Sequence, residues 1–139
     1  MASDRLGPDK VRRPVKVFFD SSFLIAVMED PTPWQADILE KVGRFEPVVI
    51  EPVYVELSRL ARGRTRQSRF ASLAVMLVDD GRLKLQRSGG THADEELISC
   101  ALRDGAMVAT IDGDLIRQLK ASHVEVLSLS GGRVEVRQN

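Results

Sequence analysis

The chain contains one cysteine, one tryptophan and one tyrosine, and it has no excess of either charge. A lone cysteine excludes an intramolecular disulfide and any zinc site built on several thiolates. Cys100 sits in a helical apolar pattern with Leu97, Ile98, Ala101 and Leu102, the setting of a small core residue. The 20 Lys and Arg cancel the 20 Asp and Glu, so bulk charge gives no argument for a nucleic-acid partner and only a local patch can supply one. No apolar run approaches the ~20 residues of a membrane span, and the N-terminus lacks the apolar core of a secretory signal. The expectation is a cytoplasmic protein with no membrane partner.

With 139 residues and 43% hydrophobic content, the chain has the size of one domain with an ordinary core. Residues 1–14 are polar, carry Lys10, Arg12 and Arg13, and read as a flexible N-terminal tail; 15–137 read as the domain. Val15–Phe19 is a β-branched and aromatic run typical of a buried strand, and Ser21-Ser22 open a short apolar helix behind it. Asp30-Pro-Thr-Pro33 breaks the chain. Ala36, Ile38, Leu39 and Val42 then form a helical stripe that ends at Gly43. Glu46–Ile50 reads as a second strand. Pro52 opens a helix through Val53, Leu57, Leu60 and Ala61, and Thr65–Val78 reads as another, with Phe70, Leu73, Ala74 and Leu77 inward.

Further on, Leu83-Lys-Leu85 alternates like an edge strand. Thr91 with Asp94 and Glu95 forms a capping signature for a helix to Arg103. Ala106–Ile111 and Val124–Leu129 read as strands around a helix carrying Leu115, Ile116 and Leu119, and Val134–Val136 as a last strand. Strands alternating with helices predict an α/β domain, three layers deep, with a central, largely parallel twisted sheet.

Four carboxylates recur where an apolar run meets a helical pattern: Asp20 after Val17-Phe-Phe19, Glu56 beside Leu57, Asp94 in the first turn of its helix, and Asp112 after Val108-Ala-Thr-Ile111. One acid at such a junction is an ordinary helix cap. Four on one sheet edge repel one another unless a cation lies among them. In a parallel sheet the strand C-termini share one edge, and ligands bind there near the reversal of strand order. The convergence of these acids therefore predicts a site for a hard divalent ion, Mg²⁺ or Mn²⁺.

From Val17 to Leu129 the chain resembles the PIN domains, metal-dependent ribonucleases that include toxins of the VapC type and rRNA-processing nucleases. The resemblance rests on the strand ending in Asp20 before Ser-Ser-Phe-Leu24, Glu56 in the helix after the second strand, Ala93-Asp-Glu-Glu-Leu-Ile-Ser-Cys-Ala101, and Val108-Ala-Thr-Ile-Asp112 with Gly-Asp-Leu115. Ser22 stands where the family most often has Asn or Thr, and Glu95 where many relatives have a second Asp. The resemblance implies an endoribonuclease acting on single-stranded or loop RNA through metal-activated water. Asp20, Asp94 and Asp112 would be ligands, and Glu56 a ligand to a second ion or an orienting group for the water. Ser22, Asp114 and Glu95 would support them.

Arg59, Arg62, Arg64, Arg66 and Arg69 form a basic stretch that either steers RNA or is a solvated helical face. His92 is expected to be a solvent-exposed or capping residue, His123 to be structural and Tyr54 to be partly buried. A receiver domain or a dehalogenase-like phosphatase lacks support, since the latter wants Asp-x-Asp where this chain has Asp20-Ser-Ser22. The alternative within the family is a non-catalytic module that binds RNA or protein. Further partners implied are an antitoxin or a ribosome-assembly protein, and a second copy of the chain docking on the Thr65–Val78 helix.

Overall fold

The computed structural model describes residues 13–137. Apart from Arg13 and Pro14, the expected tail lies outside the described residues. The elements run β1 (Val15–Phe19), α1 (Ser21–Glu29), α2 (Trp34–Val42), β2 (Phe45–Ile50), α3 (Glu51–Ala61), α4 (Arg66–Asp79), β3 (Lys84–Gln86), α5 (Ala93–Asp104), β4 (Met107–Ala109), α6 (Gly113–Ala121), β5 (Val126–Ser130) and β6 (Arg133–Arg137). The fold is α/β, with helices layered around one six-stranded sheet of order β3-β2-β1-β4-β5-β6. All neighbours are parallel except β5 and β6. No helix among the described residues is long and apolar enough to cross a membrane.

The central place of β1 follows from its composition. Val17, Phe18 and Phe19 are fully buried, so both faces of the strand are covered, as parallel sheets between helices require. Phe19 packs edge-on against Phe23 and Trp34, with ring centroids 5.5 and 5.2 Å away, joining the sheet to α1 and α2. β5 and β6 turn through Gly131-Gly132, whose φ values of 57° and 76° match the twist that a two-residue hairpin needs and that glycine adopts without strain.

After β1 the chain steps outward to β2 and β3 on one side, then returns to β4 and β5 on the other. The strand order therefore reverses between β1 and β4, whose register pairs Phe19 with Ala109. Asp20 and Thr110, one residue further, leave the sheet side by side at its C-terminal edge.

Three helical details depart from the sequence pattern. α4 buries Ala74 as expected, but with Ser68, Ala71 and Val78, while Phe70 and Leu77 are only half-buried and Leu73 is exposed. Its start is set by a capping box between Thr65 and Ser68, and the small side chains let it lie close on α1 and α3. Leu73 and Met76 are left exposed, the apolar side chains that a homodimer contact through this helix would cover. α5 begins at Ala93 with His92 at the cap and no side-chain capping bond; Thr91 Oγ1 instead lies 3.4 Å from His92 Nδ1. In α2, Leu39 faces solvent and Asp37 is buried, because Arg133 on β6 reaches across to it.

Candidate active site

Asp20 is the cap residue of α1 but does not cap it with its side chain. Its carboxylate is 5% exposed, and Oδ2 accepts hydrogen bonds from Ser22 Oγ at 2.6 Å and Thr110 Oγ1 at 2.8 Å. Thr110 Oγ1 also accepts the Asp112 backbone N–H at 3.1 Å, and Ser22 Oγ that of Ile111 at 3.2 Å. Two hydroxyls thus tie the end of β1 to the turn after β4. Asp20 Oδ1 takes no bond from a described residue and is not sealed from solvent, which leaves it turned to the cavity.

The same half-anchored pattern recurs. Ser21 Oγ donates to Glu56 Oε1 at 2.9 Å, so the adjacent hydroxyls of Ser21 and Ser22 hold two different acids. Asp112 Oδ1 accepts the N–H groups of Asp114 and Leu115 at 2.9 and 3.2 Å, a true N-cap of α6. In each case one carboxylate oxygen is fixed and the other is left open. The side chain of Asp94, half-buried in the first turn of α5, has no hydrogen-bond partner among the described residues.

Asp20, Glu56, Asp94, Glu95 and Asp112 line one open cavity of about 670 Å³, together with Ser21, Ser22, Gln67, His92 and Gln118. Burial raises the Asp94 carboxyl above its ordinary range, and the charges of Asp20, Asp112, Glu56 and Asp114 raise it further, in that order. No Lys or Arg forms an ion pair with Asp20, Glu56, Asp94 or Asp112 among the described residues. Nor does any group of three His, Cys, Asp or Glu side chains among them stand close enough together to hold a metal ion. The acids share a field without converging, as like charges with no basic group between them do. Their donor chemistry, all hard oxygen with open lone pairs, fits a divalent cation of the Mg²⁺ class.

A model of the family described as "PIN like domain" matches residues 17–132. The chain belongs to this family. Its structure is similar to that of the PIN domain endonuclease Utp24, with a TM-score of 0.76 and 19% identity over 91% of this chain and 93% of that one. A domain of a functionally unknown protein from Methanocaldococcus jannaschii DSM 2661 also superposes, with a TM-score of 0.57 and 17% identity over 90% of this chain and 98% of that one. At these identities the likeness is one of fold. No curated protein matches the chain by sequence.

In this PIN-like domain the basic stretch divides. Arg59 borders a second cavity that shares Glu56, His92 and Ala93 with the acid cavity. Arg64, Arg66 and Arg69 line a separate hollow around the α3–α4 turn, and Arg62 caps α3 and lines neither. Arg66 is paired with Glu29 at 3.2 Å and lies over the Phe70 ring. Asp114 is exposed and paired with Arg117. Tyr54 donates to Asp79 at 2.9 Å, and Cys100 is buried; both are structural.

Sequence reasoning passed over Ser21, Thr110, Gln67 and Gln118. Thr110 carried a signal, a hydroxyl in an otherwise apolar strand two residues before Asp112. Ser21 carried another: consecutive hydroxyls in a first helical turn point about 100° apart and reach different partners. The two glutamines lie on exposed helix faces, where nothing in the pattern marks them.

Proposed function

We propose that this PIN-like domain is a divalent-metal-dependent endoribonuclease, cleaving single-stranded or loop RNA by attack of water on a phosphodiester. The observation that supports it most is the set of carboxylates lining one cavity by the reversal of strand order, with Asp20, Glu56 and Asp112 each held by one oxygen, Asp94 held by none, and none of the four neutralised by a basic side chain. Asp20, Asp94 and Asp112 would hold Mg²⁺ or Mn²⁺, and Glu56 would hold a second ion or orient the attacking water. When bound, such an ion lowers the pKa of a water and offsets phosphate charge. Ser22 and Thr110 keep Asp20 aimed at the cavity, and Ser21 does the same for Glu56. Glu95 adds negative charge to the cavity, strengthening cation binding at long range, whereas the charge of Asp114 is offset by its pairing with Arg117.

Incubating the protein with unstructured and hairpin RNAs in Mg²⁺ or Mn²⁺ tests this. Internal cleavage by the wild type, lost in Asp20→Asn, is expected. No cleavage with either ion, or cleavage undiminished in the variant, refutes it; RNA binding without cleavage would instead identify a non-catalytic module.

A further inference from the structure

The second cavity, about 440 Å³, falls within the roughly 300–1,000 Å³ of small-ligand pockets. α3 supplies one wall, with Glu51, Pro52, Val55, Glu56 and Arg59, and the 90–93 segment supplies the other. Its lining is largely apolar, and Val55 is 54% exposed into it and the solvent beyond. Arg59 forms no ion pair among the described residues, although Glu51 and Glu56 lie on the same helix, so its guanidinium is available to an anion or a planar ring.

The loop wall is built rather than loose. Ser88 Oγ donates to the Glu96 carboxylate, which lies directly against Gly90. Glu96 thereby ties the 88–92 segment to α5, and a side chain at position 90 would have to displace it. Because Glu56, His92 and Ala93 border both cavities, whatever fills this one abuts whatever sits among the acids.

We propose that this cavity binds the nucleoside adjoining the scissile phosphate. The base would lie on the apolar floor of Pro52 and Val55, and Arg59 would take the next phosphate or stack on the base. The inference rests on the RNA reading above, and it adds a seat for one nucleotide and the residue that recognises it. Single-stranded RNA suits such a seat because its unstacked bases can enter a pocket while the backbone stays at the acids.

The test is binding, separable from cleavage. Fluorescence anisotropy with labelled single-stranded RNA hexamers in Mg²⁺, in the full chain carrying Asp20→Asn, compares Arg59→Ala with Arg62→Ala. Both remove one exposed charge from α3, but only Arg59 borders the cavity. About a tenfold loss of affinity for Arg59→Ala and under about twofold for Arg62→Ala is expected, with partial rescue by Arg59→Lys. Equal losses would reduce Arg59 to general charge and overturn the proposal, as would the absence of RNA binding. Arg59-dependent binding without wild-type cleavage would leave the seat and remove the nuclease; cleavage with Arg59-independent binding would do the reverse.

Discussion

Among the described residues two aspartates are almost fully buried, Asp37 on α2 and Asp20 at the end of β1, 2% and 5% exposed. Asp37 meets Arg133 Nε at 2.8 Å, Arg133 Nη2 at 2.5 Å and the Val134 N–H at 3.1 Å. The Arg133 bonds and that N–H hold its carboxyl down at about 2, and both oxygens are occupied. Asp20 meets only two neutral hydroxyls, on one oxygen, with four further acids lining the same cavity. Burial of an acid is therefore not what marks a site. The mark is a buried carboxylate for which the fold supplies no cation, because such a charge is costly unless something outside the chain completes it.

Exchanging the two acids for their amides should separate these roles most sharply. Asp20→Asn keeps shape and accepts the same hydroxyl bonds, so it should lower RNA cleavage at least about a hundredfold while leaving the melting temperature unchanged or higher. Asp37→Asn should do the opposite: cleavage per folded molecule is kept, and the melting temperature falls by roughly 5–10 °C in a thermal scan at neutral pH. If both variants lose stability alike, the distinction between a structural and a functional buried acid fails for this protein.

The comparison extends to pH. The folded-state pKa of Asp37 is depressed, from 3.8 to about 2, so its contribution is complete above 3.8 and is lost as pH falls toward 2. Acid melts of the wild type should steepen over that window, and those of Asp37→Asn should not. Thr110→Val, which removes the hydroxyl between Asp20 and Asp112 at nearly constant volume, should weaken Mg²⁺ or Mn²⁺ binding by about tenfold in calorimetry; unchanged affinity would make Thr110 a packing residue only.

The smallest effect concerns Asp94. Its folded-state pKa is raised, so its ionisation opposes folding: the penalty is absent below 3.8, grows through the interval up to the raised value, and is full above it. Asp94→Asn should therefore raise the melting temperature by about 2–4 °C at neutral pH in metal-free buffer, and by nothing below pH 3.8. Divalent ion should abolish the gain by stabilising the wild type instead. A variant that melts lower at neutral pH would show that Asp94 is held by favourable contacts and not strained by its neighbours.

Most strands and helices were legible because their signals are local. The run Val15–Phe19 is too short and too apolar to be anything but a buried strand, and Asp20 follows it directly. Asp112 before Gly113 declared the start of α6 in the same way, and the structure finds its carboxylate on the N–H groups of Asp114 and Leu115 in the first turn. The inward face of α4 was only partly legible: Ala74 was read as buried, but Phe70, Leu73 and Leu77 outweigh Ser68 and Ala71 in any apolar pattern, and close helix packing favours the small side chains. Asp37 was invisible for a related reason, since its partner lies 96 residues away on a strand that reaches it only in the folded chain.

Local pattern was enough to place Asp20, Asp94 and Asp112 at element ends, and to leave no disulfide, zinc thiolate or apolar span competing with them as an explanation. Composition and period are properties of neighbours along the chain, and they carry that much. Tertiary structure alone decided the strand order that puts Asp20 beside Thr110, the division of labour between Ser21 and Ser22, and which buried aspartate is answered by an arginine. Each depends on contacts between residues tens of positions apart, set by how the sheet is ordered and how closely the helices lie upon it.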